Sequence, residues 1–160
     1  MYDFKIEGAD RAELYRQLAE AADALTGGEP DGIANMANLS ALLMDSLPDL
    51  NWAGFYRNVG GELVLGPFQG KAACIRIAFG KGVCGAAAAS LETQLVEDVH
   101  AFPGHIACDA ASASELVVPV VVKGRLLGVL DLDSPVKGRF TSEDQAGCEA
   151  LIERVKGRLV

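Results

Sequence analysis

The sequence has little positive charge, and this deficit excludes one class of partner. Its 160 residues contain 14 Lys and Arg against 22 Asp and Glu, giving a net charge of −8 and a pI near 4.7. Proteins that bind nucleic acid neutralise phosphates with clustered basic side chains, and this sequence offers no basic stripe. We therefore expect no nucleic acid among its partners.

Long apolar runs and closely spaced cysteine pairs are also missing. No apolar run reaches the length of about 20 residues that a membrane-spanning helix needs, and the first seven residues do not resemble a signal peptide. We therefore expect a cytoplasmic protein with no membrane partner. Four cysteines in such a protein suggest catalysis, metal binding or redox exchange rather than a disulfide scaffold.

The sequence contains no repeat, low-complexity tract or linker, so we expect a single domain over residues 1–160. Helical spacing of apolar residues predicts helices over 10–25 and 32–47, with Pro48 ending the second. A short helix of small residues is predicted over 83–90. A last helix is predicted after a cap at Thr141 or Ser142, and Ser142 with Gln145 fits a capping box. Strands are predicted at residues 51–58, 62–68, 72–79, 94–99, 115–122 and 125–134.

Together these elements predict an α+β domain. Its central antiparallel sheet would have about six strands, with the N-terminal helices and the C-terminal helix packed on it. Lys123-Gly124 is the strongest hairpin signal in the chain.

The segment 104–115 is the unusual part of this pattern. It joins two predicted strands without periodicity of its own, and such long connections are usually functional or disordered. It contains Cys108, ends at Glu115, and has His105 within it and His100 just upstream. Its small residues leave room for a substrate to approach the thiol, so we expect a functional loop.

The four cysteines differ in their surroundings. Cys148 lies on the apolar stripe of the last predicted helix and reads as core. Cys84 opens the short helix, where the helix dipole is expected to lower the pKa of its thiol. Cys74 alternates with Ala72 on its predicted strand and lies outside any simple apolar face. A zinc site would prefer thiols paired at Cys-x-x-Cys spacing, which does not occur.

Three thiols on three elements therefore fit the formation and resolution of a sulfenic acid better than a metal site. Zinc held by these thiols together with His100 and His105 remains a weaker alternative, which would suggest a hydrolase. We expect neither a metal nor a cofactor.

Two carboxylates continue an otherwise apolar face of the last predicted strand. Alternation places Leu126, Leu130 and Leu132 on one face, and the other face carries Leu127, Val129, Asp131 and Asp133. The two acids either reach solvent at the strand end or form the mouth of a pocket. In a pocket they would bind an ammonium group or hold a proton, because like charges raise one pKa.

Two further features suggest a pocket near these acids. Glu115 opens the neighbouring strand of the same hairpin and is placed to join them. Trp52 and Tyr56 share one face of the first predicted strand, where they wall the same pocket or simply belong to the core.

Six short stretches make the sequence similar to a known family. They are GPFQGK at 66–71, ACIRI at 73–77, GVCG at 82–85, EDVH at 97–100, GHIACD at 104–109 and GVLDLDS at 128–134. Together they resemble the free methionine-(R)-sulfoxide reductases, which are single GAF-domain enzymes. The set of three cysteines plus the Asp-x-Asp strand is far more specific than a GAF domain alone.

The resemblance implies a role for each matched residue. It implies that Cys108 is the nucleophile, that Cys74 is the resolving thiol, and that Cys84 is a second thiol able to take over the disulfide. It also implies that Glu115, Asp131 and Asp133 bind substrate and that Trp52 and Tyr56 surround the methyl-sulfinyl group.

The resemblance further implies an oxidoreductase that repairs oxidised free methionine. Its sulfenic acid would give an intramolecular disulfide that thioredoxin reduces, and GAF domains commonly pair through their helices, so a homodimer is expected. The alternative is a non-catalytic GAF module that binds a small ligand or senses redox state.

Overall fold

One antiparallel sheet of six strands organises the residues that the computed structural model describes, which are 2–4, 6, 10–106, 108 and 110–160. The strands are β1 (Trp52–Val59), β2 (Glu62–Gly70), β3 (Arg76–Ala78), β4 (Gln94–Val96), β5 (Ser114–Val122) and β6 (Arg125–Ser134). Their order across the sheet is β3-β2-β1-β6-β5-β4. The α+β class and the antiparallel sheet predicted from the sequence are confirmed.

Three helices pack on one face of this sheet: α1 (Arg11–Thr26), α2 (Gly32–Ser46) and α4 (Ser142–Val155). Their apolar residues form one core with alternate residues of the central strands, among them Phe55 and Leu130. The other face is covered by a shorter helix, α3 (Gly82–Ser90), which packs with residues of the edge strands β3 and β4. This second, smaller core contains Trp52 and Tyr56, so alternation along β1 decides which side chains face it.

The register of the central strands brings the predicted acids together. Asp133 on β6 lies opposite Glu115 on β5 and opposite Trp52 on β1. The hairpin between β5 and β6 is fixed by Lys123 and Gly124, which both have positive φ angles of 51° and 76°. That is the backbone of a two-residue turn whose twist matches its strands, as the sequence predicts.

Two predicted strands are shorter than expected. β3 begins at Arg76, so Cys74 precedes it instead of alternating along it. The carbonyl oxygen of Cys74 accepts a hydrogen bond from the Tyr56 hydroxyl, which is not a contact between paired strands. The side chain of Cys74 forms a disulfide with Cys108. β4 ends at Val96, because the Asp98 side chain accepts a hydrogen bond from the His100 amide and starts a 3₁₀ turn there.

The predicted alternation along β6 fails at its start. The pairing register shifts between Val120 and Val121 of β5. Val120 lies opposite Gly128 and Val121 lies opposite Leu126, so β6 has one extra residue, Leu127, at a bulge. Leu126 therefore packs in the second core with Val129, and Leu127 packs against the helical core, the reverse of the prediction. Beyond the bulge the prediction holds, and the acids stay on the face opposite to Leu130.

The capping box of α4 is formed by different residues from those predicted. Thr141 is the N-cap, and its backbone amide donates to the Asp144 carboxylate at 2.8 Å. Asp144 is fully buried, and the hydrogen bonds that Arg11, Tyr15 and Arg139 donate to it replace those it would make with water.

None of the helices within the described residues is long and apolar enough to cross a membrane.

Candidate active site

The residues singled out from the sequence meet at one small cavity on the α3 side of the sheet. The cavity, of about 40 Å³, lies between the strands β1, β5 and β6, the start of α3, and the loop before β5. Its walls include Trp52, Tyr56, Cys84, Cys108, Glu115, Asp131 and Asp133. Cys74 is joined to this group by a disulfide to Cys108, with the two Cα atoms 5.4 Å apart.

Two aromatic residues of β1 form one wall of the cavity. The rings of Trp52 and Tyr56 stack with centroids 5.9 Å apart, and the ring of Phe68 stacks on that of Trp52 with centroids 5.1 Å apart. Gly54 lies between them on the same face, and a Cβ atom there would collide with Phe68. The predicted aromatic face is therefore present, and glycine is required for the stack to form.

The same two aromatic residues hold the segment that carries Cys74. Trp52 Nε1 donates to the Lys71 carbonyl oxygen at 3.1 Å, and the Tyr56 hydroxyl donates to the Cys74 carbonyl oxygen at 2.9 Å. This anchoring was not predicted from the sequence. The available signal was that a buried Trp or Tyr places its polar end against a partner.

The loop before β5 is fixed at its C-terminal end. The Ala113 amide donates to the Ser134 carbonyl oxygen at 2.7 Å, and Asn51 Nδ2 donates to Ser112 Oγ at 3.2 Å. Ser112, which is buried in the cavity wall, was also not predicted from the sequence. Of the predicted loop motif, Ala107 and Asp109 lie outside the described residues.

Glu115 and Asp131 are buried at the floor of the cavity, with 7% and 5% of their surfaces exposed. One carboxylate oxygen of Glu115 lies within 4.8 Å of one carboxylate oxygen of Asp131. Burial, followed by the charges of Asp131 and Asp133, raises the pKa of Glu115 well above its usual value. Burial also raises the pKa of Asp131, to about 6. The pair therefore holds a proton near neutral pH, and the pocket interpretation of these acids replaces the solvent-facing one.

Cys84 contradicts one prediction from the sequence. Its Sγ lies 3.8 Å from Glu115 Oε1, and the thiol is buried. Burial raises its pKa well above the ordinary value, and the charges of Asp131 and Glu115 add to that effect. The expected lowering by the α3 dipole is wrong, because burial among acids outweighs it.

The remaining cysteine and the two histidines have simpler surroundings. Cys148 is fully buried in the helical core, as predicted. His105 lies in the cavity wall, and its ring meets that of His100 edge-on at 6.1 Å. Burial, and then the charge of His100, lowers the pKa of His105. The three-thiol zinc alternative does not form in this structure, because Cys74 and Cys108 are bonded to each other.

Comparisons with known proteins agree with this architecture. A family model described as GAF domain matches residues 9–155. The chain is 54% identical over 147 residues to the free methionine-R-sulfoxide reductase of Escherichia coli, covering 92% of this chain and 89% of that protein. It is 46% identical over 154 residues to the free methionine-R-sulfoxide reductase of Saccharomyces cerevisiae, covering 91% of this chain and 86% of that one.

A solved structure is similar over almost the whole length. The X-ray structure of free methionine-R-sulfoxide reductase from Neisseria meningitidis in complex with its substrate has a TM-score of 0.95 and 41% identity. The match covers 99% of this chain and 96% of that one. The likeness therefore includes the strands, the helix α3 and the loop that line the cavity.

Proposed function

Because the chain belongs to the GAF-domain family of free methionine-R-sulfoxide reductases, we propose that it reduces free methionine-(R)-sulfoxide to methionine with Cys108 as the nucleophile. The observation that carries this proposal is the Cys74–Cys108 disulfide at the wall of a cavity lined by acids and aromatic rings. That bond is the product expected when one thiol attacks the substrate and a second thiol resolves the intermediate.

The chemistry balances with these two thiols alone. The Cys108 thiolate attacks the sulfoxide sulfur, the oxygen passes to Cys108 as a sulfenic acid, and methionine leaves. The Cys74 thiol then attacks the Cys108 sulfur, forming the disulfide and releasing water. Two thiols are oxidised and one sulfoxide is reduced. An external dithiol such as thioredoxin restores both thiols by exchange.

The buried acids supply protons in this scheme. The sulfoxide oxygen must gain protons as its bond to sulfur breaks, so a carboxylic acid that stays neutral near pH 7 is useful. Glu115 fits this role because burial and the neighbouring charges raise its pKa. Burial raises the pKa of the neighbouring Asp131 as well, to about 6, so the proton stays within the pair.

The same acids explain a preference for the free amino acid. Asp131 and Asp133 offer negative charge to the ammonium group of free methionine sulfoxide, and a peptide-bound residue lacks that group. The stacked rings of Trp52 and Tyr56 offer an apolar wall for the methyl-sulfinyl end. Charge at one end and apolar surface at the other orient the sulfur toward Cys108.

Cys84 has a subordinate role in this proposal. It is a free thiol beside Glu115 while Cys74 holds the disulfide, so we assign the main resolving role to Cys74. Cys84 as a substitute resolving thiol, thioredoxin as the reductant and the homodimer remain predictions.

The proposal is tested by incubating the protein with racemic free methionine sulfoxide and dithiothreitol and resolving the epimers by chromatography. We expect the R epimer to be converted to methionine, the S epimer to remain, and N-acetylmethionine sulfoxide to be untouched. Cys108→Ser should abolish turnover, whereas Cys148→Ser, which changes a thiol in the distant helical core, should not. No methionine from either epimer would favour the non-catalytic ligand-binding alternative and overturn the proposal.

A further inference from the structure

One thiol sulfur and two carboxylate oxygens, three potential metal ligands, lie close together at the floor of the cavity. Cys84 Sγ and one carboxylate oxygen from each of Glu115 and Asp131 lie within 4.8 Å of one another. All three residues are buried and line the cavity, so water reaches the cluster through the cavity. Within the described part of the chain, no ion pair reaches either acid.

Asp131 provides a second and independent observation. Its Oδ1 atom is buried and has no hydrogen-bond partner among the described residues. A buried carboxylate oxygen without a donor or a cation is unfavourable, and native structures leave few of them. Because Asp131 also lines the cavity, a ligand that enters the cavity can satisfy this oxygen.

We propose that Cys84, Glu115 and Asp131 form a binding site for a thiophilic divalent cation, Zn²⁺ or Cd²⁺. Zinc is held by sulfur at about 2.3 Å and by carboxylate oxygen at about 2.0–2.2 Å, so ligands around a tetrahedral ion stand roughly 3.3–3.7 Å apart. Cys84 Sγ and Glu115 Oε1 are already 3.8 Å apart. No donor pair is more than 4.8 Å apart, so side-chain shifts of about 1 Å would bring the three donors to one ion.

The composition of the site selects among cations. One sulfur with two carboxylates suits Zn²⁺ and Cd²⁺, whereas Mg²⁺ prefers six oxygen ligands and retains its waters. With three protein ligands, the fourth position of the ion faces the cavity and remains open to water. The cavity of about 40 Å³ has room for an ion with its water. This site is distinct in its chemistry from the Cys74–Cys108 pair, which transfers electrons and needs no metal.

The test uses full-length protein with Cys74→Ser and Cys108→Ser, so that Cys84 is the single thiol left at the cavity. Cd²⁺ is titrated into the reduced protein and followed by the ultraviolet thiolate-to-metal absorption and by calorimetry. We expect one Cd²⁺ per chain with the thiolate band, and no binding of Mg²⁺. The titration contains no sulfoxide, so its result is independent of the reductase proposal.

Three further substitutions in this background decide the assignment. Cys84→Ser should remove the thiolate band, and Asp131→Asn should weaken Cd²⁺ binding by more than about 10-fold, because each removes one of three ligands. Cys148→Ser should leave the titration unchanged. A band that survives Cys84→Ser, or a folded parent protein that binds no Cd²⁺, overturns the site. If Cys84→Ser does not fold, the Asp131→Asn titration decides: unchanged affinity there overturns the site.

Discussion

The hydroxyl of Tyr56 donates a hydrogen bond of 2.9 Å to the carbonyl oxygen of Cys74. Tyr56 belongs to a central strand and is almost fully buried, whereas Cys74 lies in the irregular segment before β3. A rigid part of the sheet therefore fixes the position of one member of the disulfide. Tyr56 contributes its ring to the cavity wall and its hydroxyl to the placement of Cys74, the proposed resolving thiol.

We expect Tyr56→Phe to slow disulfide formation while preserving the first chemical step. The ring still fills the wall, but the Cys74 carbonyl oxygen loses its donor, a change of about 0.5–1.5 kcal/mol or up to roughly 10-fold in rate. The measurement is single-turnover methionine release compared with loss of the second free thiol. Tyr15→Phe is the matched control, because that hydroxyl binds Asp144 in the helical core. An unchanged rate of thiol loss in Tyr56→Phe would contradict this positioning role.

Cys74→Ser should separate attack from resolution. The variant retains the nucleophile, so we expect one equivalent of methionine per chain at the wild-type rate. Turnover supported by thioredoxin should fall, and the remainder should depend on Cys84. Peptide mapping of wild-type protein oxidised by substrate checks the assignment, and a bridge between Cys84 and Cys108 in place of Cys74–Cys108 would transfer the resolving role to Cys84.

Asp131→Asn and Asp133→Asn should each weaken substrate binding. Loss of a charge-assisted hydrogen bond to an ammonium group is worth about 1.5–3 kcal/mol, which corresponds to a rise in KM of roughly 10- to 100-fold. The thermal midpoint should stay level or rise, because each change removes a negative charge from a cluster of acids. Steady-state kinetics and thermal melts of both variants check this, with Asp45→Asn on the exposed surface of α2 as a control. Unchanged KM in both variants would place the substrate elsewhere.

The acid cluster should make stability depend on pH in a specific direction. Asp131 has a pKa of about 6 in the folded chain against 3.8 for an unperturbed aspartate, so the folded state binds more protons between these values. The contribution of Asp131 to stability is complete below pH 3.8 and is lost as the pH rises through about 6. Each unit of pKa shift corresponds to about 1.4 kcal/mol.

Urea unfolding of the wild type and of Asp131→Asn between about pH 4 and pH 8 measures this dependence. The stability of the wild type relative to the variant should fall as the pH rises across the window. Glu115, whose pKa is also raised, extends the window upward. A difference that stays constant with pH would contradict the buried, proton-holding state of this pair.

Asp144, a second buried acid, should make stability depend on pH in the opposite direction, because its pKa is lowered. Burial alone would raise the pKa of Asp144, but hydrogen bonds from Thr141, Arg11 and Tyr15 more than offset this and lower it. Asp144→Asn also leaves Arg139 buried without a countercharge, so we expect a loss of about 3–5 kcal/mol in the free energy of unfolding. Glu153→Gln, which removes an exposed pair with Lys156, should change stability by less than about 1 kcal/mol. Equal effects in chemical denaturation would contradict the structural role of Asp144.

The features that could be predicted from the sequence depend on local pattern. The spacing of apolar residues located the helices, and Lys123-Gly124 fixed the β5–β6 hairpin through its turn conformation. Alternation placed Asp131 and Asp133 on the face opposite to Leu130 because nothing interrupts the strand there. Such rules need only neighbouring residues, so one sequence suffices.

The features that could not be predicted depend on residues far apart in the chain. Cys74 leaves the strand pattern because it is bonded to Cys108, 34 residues away, and hydrogen bonded to Tyr56, 18 residues away. The pKa of Cys84 rises because the fold buries the thiol and because β5 and β6 place acids against it, which no property of α3 reveals. The bulge that exchanges Leu126 and Leu127 depends on the pairing with β5, and its one signal within β6 is the adjacent Gly128.

The disulfide between Cys74 and Cys108 also closes the intervening chain, which includes α3 and β4, into a covalent ring. For a separation of 34 residues, the chain-entropy treatment assigns such a ring about 4 kcal/mol of stabilisation. This free energy acts in both directions. The amount by which the disulfide stabilises the folded state is also the amount by which folding stabilises the disulfide against reduction. In the proposed mechanism, substrate turnover would therefore leave the protein in its more stable form. A cut of the backbone between the two cysteines would release no fragment until a reductant opened the ring.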